Sequence, residues 1–321
     1  MAFSSVATFY HSVLLVVLVF AASALAAQNP LLRIANSEFG PNPSNVPFYL
    51  YLPKVLAPNP PILVNPHWCH GTAQAAFTGT QLANLADTYG YIMIFPNSPN
   101  TADQCWDISS PETLTHEAGG DSLGIVSMVR YVLRKYNADP TRVFAMGTSS
   151  GAMMTNVLLG AYPDVFAAGS GWAGVAFGCY ADPKGGAGTW SDACATGKIQ
   201  KTGAEWKNVV QAAYPEYTGW RPKMHVLHGT VDQILDYQNL AEEVKEWTAV
   251  LGVENVTATV RTNDIRPGWT TRSWSDGGRG EVFRATSAAG VTHDIQTDAN
   301  TVLEWFDLKC QGTGCFSRPR L

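Results

Sequence analysis

The sequence predicts an α/β fold, with a mostly parallel sheet and helices on both faces. Two observations predict it. Short apolar runs alternate with helical stretches along most of the chain, which is the pattern of repeated strand–helix units. One run, Val143 to Met146, leads through Gly147-Thr148-Ser149-Ser150-Gly151 straight into a second helical stretch from Ala152 to Leu159. A strand that ends in G-x-S-x-G and turns at once into a helix is a nucleophile elbow, the signature turn of the α/β-hydrolase fold.

The elements follow in order. Pro47 to Leu52 and Pro61 to Asn65 read as strands, Gly79 to Tyr89 as a helix and Tyr91 to Phe95 as a strand. Gly120-Asp121-Ser122 opens a long helix through Tyr136. The elbow strand and helix come next, then a strand at Phe166 to Gly169. Gly178 to Tyr217 is rich in Gly, Ala, Lys and Thr and is read as an excursion with a short helix around Trp206, placed as a cap over the site. Lys223 to Leu227 is a strand and Leu240 to Val250 a helix. Val256 to Thr262 and Glu281 to Thr286 are late strands, and Asn300 to Asp307 closes as a helix. There is no internal repeat and no linker rich in Ser, Thr and Pro, so residues 28–321 are expected to form one catalytic domain.

Residues 1–27 have the form of a secretory signal. Val13 to Phe20 is its apolar stretch and Ala24-Leu25-Ala26 its cleavage site, with cutting after Ala26 or Ala27. The usual basic start is missing, since Arg33 is the first Lys or Arg. The expectation is a secreted, extracellular monomer, free of the membrane once the signal is removed. Six cysteines suit that compartment. Short loops favour Cys310–Cys315 and Cys179–Cys194, which leaves Cys69 with Cys105, although spacing alone leaves other pairings open. Asn255-Val256-Thr257 is the usable glycosylation sequon. The net charge is −5 and 15% of residues are charged. No basic run interleaves with aromatics, which argues against a nucleic-acid partner. Ten Trp and twelve Tyr are many; most are expected in the core, and exposed ones make platforms for sugar rings.

A serine hydroxyl is a weak nucleophile and needs a base, itself oriented by a carboxylate. In this fold the chain order is Ser, acid, His. Three histidines follow Ser149. His225 alternates with apolar residues in a strand, and His228 reads as a turn residue at the strand end. His293, in Gly290-Val291-Thr292-His293 before the last helix, is the expected base. Asp232 is the expected acid. Asp236 suits helix capping, Asp264 and Asp276 lie in irregular loops, and Asp294 adjoins the histidine too closely. The oxyanion hole calls for backbone N–H groups of Ser150 and of a loop after an early strand, where Cys69 is the candidate. His67, Cys69 and His70 crowd too tightly for three ligands on one ion, so no metal is expected, and acyl transfer needs no cofactor. Trp106 and Trp172 are candidate substrate contacts, with Trp220 and Trp269 behind them.

Several stretches carry a resemblance. They are Gln104-Cys105-Trp106-Asp107, Gly119-Gly120-Asp121-Ser122, Asn137-Ala138-Asp139-Pro140-Thr141-Arg142-Val143-Phe144, and Gly147 through Asn156. Tyr162-Pro163-Asp164-Val165-Phe166, His228-Gly229-Thr230-Val231-Asp232 and Gly290 to His293 complete the set. With these the chain resembles fungal acetylxylan esterases of carbohydrate esterase family 1, relatives of feruloyl esterases and polyhydroxybutyrate depolymerases. The resemblance implies roles for Ser149, Asp232 and His293, and an oxyanion loop at His67-Trp68-Cys69. Trp68 stands where many polyester-cleaving relatives have Gly, which narrows the loop against a bulky polyester. It implies removal of acetyl groups from xylan. Feruloyl ester hydrolysis is the alternative within the class, and a non-catalytic carbohydrate-binding protein the alternative outside it. No amphipathic lid helix suggests a lipase.

Overall fold

The computed structural model describes residues 29–320. The expected secretory signal lies outside the described residues. Ten strands form one sheet: β1 (Leu32–Ile34), β2 (Phe48–Tyr51), β3 (Ile62–Val64), β4 (Ile92–Pro96), β5 (Val143–Thr148), β6 (Ala168–Trp172), β7 (Lys223–Gly229), β8 (Thr259–Thr262), β9 (Trp269–Ser275) and β10 (Glu281–Ala288). Their order is β1-β2-β4-β3-β5-β6-β7-β10-β9-β8. The central strands from β4 to β10 run parallel, and antiparallel strands flank them on each side.

Residues alternate between two cores, as strand geometry requires when both faces are covered. Ile62 and Val64 of β3, Ile92 and Ile94 of β4, and Val143 and Ala145 of β5 join one core. Leu63, Met93, Phe95, Phe144 and Met146 join the other. The helices are α1 (Ala73–Thr78), α2 (Leu82–Tyr89), α3 (Pro111–Leu114), α4 (Gly120–Tyr136), α5 (Ser150–Ala161), α6 (Asp192–Ala195), α7 (Gly203–Ala212), α8 (Gln238–Leu251) and α9 (Ala299–Trp305). Core residues of α4, α5, α7 and α8 fall in the first cluster, and those of α1, α2 and α9 in the second. Every residue of α5 is buried, so its all-round apolar sequence is accounted for by position and not by amphipathicity.

Local chemistry sets the ends of several helices. The α7 start is a capping box, with the Thr202 and Glu205 side chains each accepting from the other's backbone N–H. Asp298 caps α9, and α8 stops at Gly252 in the left-handed conformation. Gly120 is obligatory for packing, because a Cβ there would meet Thr113 Oγ1 at 2.1 Å and its φ is +62°.

The expected Gly79–Tyr89 helix starts at Leu82, with α1 as a separate helix before it. The excursion from Gly178 is stapled by Cys179–Cys194. It serves as a cap only in part, because α7 turns away and packs on α8, with Trp206 Nε1 donating to Glu242 at 3.0 Å. The other bridges are Cys69–Cys105 and Cys310–Cys315. Among the described residues no helix is long and apolar enough to cross a membrane.

Candidate active site

Ser149, Asp232 and His293 come from loops at the carboxyl ends of β5, β7 and β10, where open parallel sheets place their ligands. Ser149 holds φ 56° and ψ −124°, outside the ordinary regions for a residue with a side chain. Such a conformation costs about 1–3 kcal/mol and persists only when its surroundings enforce it. Here they do. A Cβ on Gly147 would lie 2.4 Å from the carbonyl of Gly151, and a Cβ on Gly151 would lie 2.1 Å from the Pro66 carbonyl oxygen. Both glycines are therefore fixed by sterics, and the serine between them is pushed clear of the sheet. Its N–H donates to the Trp172 carbonyl at 2.8 Å.

His293 Nε2 lies 2.8 Å from Ser149 Oγ, and Nδ1 lies 2.7 Å from Asp232 Oδ2. A carboxylate only accepts, so Nδ1 carries the hydrogen and Nε2 is left to accept the serine proton. The Asp232 side chain is fully buried and that of His293 nearly so. Burial alone would raise the Asp232 carboxyl. Bonds from His228, His293 and the Leu235 and Ile234 amides outweigh it and hold the group below the ordinary aspartate range. The two loops are sewn together by backbone. Thr230 and Val231 amides donate to Ala288 and Val291, and a Cβ on Gly229 would strike the Val291 carbonyl oxygen at 2.2 Å.

The loop after β3 runs beside the elbow. Ser98 N–H donates to His67 Nε2 at 3.0 Å, so His67 Nδ1 is the donor to the Trp68 carbonyl at 2.7 Å. Trp106 Nε1 donates to the His67 carbonyl at 2.7 Å, while Trp106 N–H donates to Ser150 Oγ at 2.9 Å. The Cys69–Cys105 bridge ties the same two segments covalently. Cys69 and Ser150 both border the cleft over Ser149, and neither amide donates to another group among the described residues. An oxyanion hole calls for N–H groups with no other partner at such a cleft.

The cleft has a volume of about 670 Å³ and is lined by Ser149, His293, Met153, Ile108 and Leu235 with aromatic walls. Its geometry is that of an acyl-transfer site. A family model described as Esterase PHB depolymerase matches residues 46–266. The chain belongs to this esterase family. Among its relatives, it is 46% identical to feruloyl esterase B of Thermothelomyces thermophilus over 85% of this chain and 91% of that one. It is 43% identical to acetylxylan esterase A of Aspergillus oryzae, over 84% of this chain and 86% of the relative. A solved acetyl xylan esterase from Aspergillus awamori superposes with a TM-score of 0.82 at 37% identity, covering 87% of this chain and all of that one. The protein is a carboxylic ester hydrolase with the α/β-hydrolase fold.

The esterase cleft corrects one expected contact. Trp172 is fully buried in the second core, its Nε1 donating to Ser170 Oγ, and it reaches the site only through its backbone carbonyl. Trp106 borders the cleft although it is only 1% exposed. Trp269 is core, and Trp220 lines a different cavity with Lys223 and Phe316. The open aromatic walls are Trp68, 38% exposed, and Trp190, 52% exposed, joined by Tyr180. Trp190 was missed by the residue-by-residue reading. Its signal was its place in the Gly-rich excursion, where little else calls for a large apolar side chain.

The remaining candidates sort by contact. His225 is a buried strand residue whose Nε2 meets Thr286 Oγ1 at 2.9 Å. Asp236 accepts from Gln238 N–H at the start of α8, while Asp264 and Asp276 pair with Arg261 and Arg279. Cys69 is spent in its disulfide and both His67 nitrogens are engaged, so this cluster retains only His70 as a free ligand. The Gln104–Asp107 and Gly119–Ser122 motifs meet each other. Asp107 N–H donates to Asp121 Oδ2 at 3.0 Å, and burial pushes the Asp121 carboxyl up to about 7. These motifs brace the loop that carries Trp106 and Cys105.

Proposed function

We propose that this esterase is a secreted serine hydrolase that removes acetyl groups from acetylated xylan, with Ser149 as nucleophile, His293 as base and Asp232 as its orienting acid. The observation that carries the reading is the hydrogen-bonded row Asp232–His293–Ser149 on the wall of an aromatic-sided cleft. Several relatives named as acetylxylan esterases, at 43–44% identity, support the substrate.

In this mechanism His293 Nε2 takes the serine proton as Oγ attacks the acetyl carbonyl. The Cys69 and Ser150 amides receive the oxyanion. His293 then protonates the departing sugar oxygen, and water repeats the sequence on the acyl-enzyme to release acetate. No cofactor takes part. Trp68 and Trp190 would present apolar faces to the pyranose rings. Residues 1–27 would be removed on export and residues 28–321 would act as one monomeric catalytic domain. Asn255, exposed between α8 and β8, would carry a glycan.

A second reading, hydroxycinnamoyl ester hydrolysis, is favoured by the 46% identity to feruloyl esterase B and by room for an aromatic ring in the cleft. Small esters separate the two. We expect kcat/KM on an aryl acetate to exceed that on methyl ferulate, and the reverse order would select the second reading.

A further inference from the structure

His228 is not a member of the Ser149–His293–Asp232 row, yet it touches it. Its side chain is fully buried at the end of β7. Nε2 lies 2.9 Å from the Leu235 carbonyl oxygen and 3.2 Å from Asp232 Oδ2. Both partners are acceptors, so Nε2 carries the hydrogen. Nδ1 is buried without a partner, which agrees with that tautomer. The Leu235 and Ile234 amides donate to the other carboxylate oxygen, Oδ1, at 2.9 and 2.8 Å.

These contacts close a ring. The His228 imidazole holds the Leu235 carbonyl, the Leu235 amide holds Asp232 Oδ1, and Asp232 Oδ2 returns to His228. The turn from Gly229 to Leu235 is thereby clamped at three points, with Oδ2 facing His293. Tyr237 packs edge-on to the His228 ring, with centroids 6.3 Å apart, and its hydroxyl is spent on Ser287 Oγ at 2.8 Å. The titratable groups in contact with His228 are thus Asp232 and Tyr237, with His293 one bond further.

We infer that His228 is a positioning residue for catalysis: its Nε2–H, shared between the Leu235 carbonyl and Asp232, fixes the direction and the basicity of the carboxylate that orients His293. The inference rests on the reading of Ser149, Asp232 and His293 as the catalytic row. A buried carboxylate that loses one donor becomes a stronger partner for the imidazolium it faces. The base then stays protonated to higher pH, and the rate on the acid side falls.

The experiment compares wild type, His228→Leu and His228→Gln on an aryl acetate across pH, with Ser149→Ala as the blank. Gln presents an amide N–H near the place of Nε2, whereas Leu removes the donor and keeps the volume. We expect His228→Leu to lower kcat roughly 10- to 100-fold with KM little changed, as for a lost bond to a charged group. Its acid limb of kcat/KM should move to higher pH, and His228→Gln should restore most of the rate and the wild-type limb. An acid limb that stays in place or moves down in folded His228→Leu would overturn the inference, as would a His228→Gln no better than Leu. The ring ¹⁵N spectrum of the wild-type protein decides the matter even if His228→Leu does not fold. Hydrogen on Nε2 is expected, and hydrogen on Nδ1 would refute the clamp. Full activity in Ser149→Ala would overturn the catalytic row and this inference together. An inactive Ser149→Ala with an unmoved His228→Leu limb would overturn only the clamp.

Discussion

Ser149→Ala is expected to lower kcat on an aryl acetate by roughly 10⁶-fold while leaving thermal unfolding near that of the wild type. The side chain contributes one hydroxyl, bonded only to His293, so its loss removes the nucleophile and little packing. The strained φ of 56° is enforced by Gly147 and Gly151 against their neighbours, and alanine experiences the same enforcement. The Cys69 and Ser150 amides and the cleft walls survive, so a small residual rate over water should persist. Steady-state kinetics beside a melting curve checks both halves. A variant that keeps more than a few per cent of the wild-type rate would remove Ser149 from the reaction.

Asp232→Asn should cost about 10⁴-fold in kcat, for a reason that can be read from the hydrogen bonds. Oδ1 accepts from two backbone amides, Ile234 and Leu235, so the asparagine carbonyl must take that place. Its NH2 then occupies the Oδ2 position and points at His293 Nδ1 and His228 Nε2. His293 can only answer by carrying its hydrogen on Nε2, which turns it from an acceptor into a donor toward Ser149. The base is lost although the asparagine keeps the shape of the carboxylate it replaces. Asp232→Asn should therefore bind substrate with a KM close to wild type while turning over slowly, and a kcat within tenfold of wild type would contradict this role.

The parallel core of the fold was legible because its strands are apolar on both faces and its helices fall between them. β3, β4, β5 and β7 appear within a residue or two of their expected bounds, and α4 starts at Gly120 as expected. β9 was not legible. Its inward residues include Thr271 and Ser273, and Thr271 bonds to Thr286 across the sheet at 2.9 Å, so hydrophobic alternation is absent where a polar ladder replaces it. β1 is only three residues long and mostly exposed, too short to leave a pattern.

At the site, the G-x-S-x-G turn singled out Ser149, and chain order and loop position singled out Asp232 and His293; the fold brings the three within hydrogen-bond reach. Trp172 was one of several tryptophans that could have been core or substrate contact, and the sequence does not reveal which side of the strand it faces. At the end of β6 it points into the second core. His228 was read as a turn residue at the strand end, whereas its backbone is still in β7, one residue before the strand stops at Gly229. Its contact with Asp232 depends on how the Thr230–Leu235 turn folds back, and that return is held by Asp232 itself.

The central claim is tested most directly by incubating the wild-type and Ser149→Ala proteins with acetylated xylan and with a feruloylated arabinoxylan, and measuring free acetate and free ferulate over time. Wild type is expected to release acetate steadily and faster than ferulate, with neither product formed by Ser149→Ala. Ferulate release that outpaces acetate, or acetate release by Ser149→Ala at the wild-type rate, would contradict it.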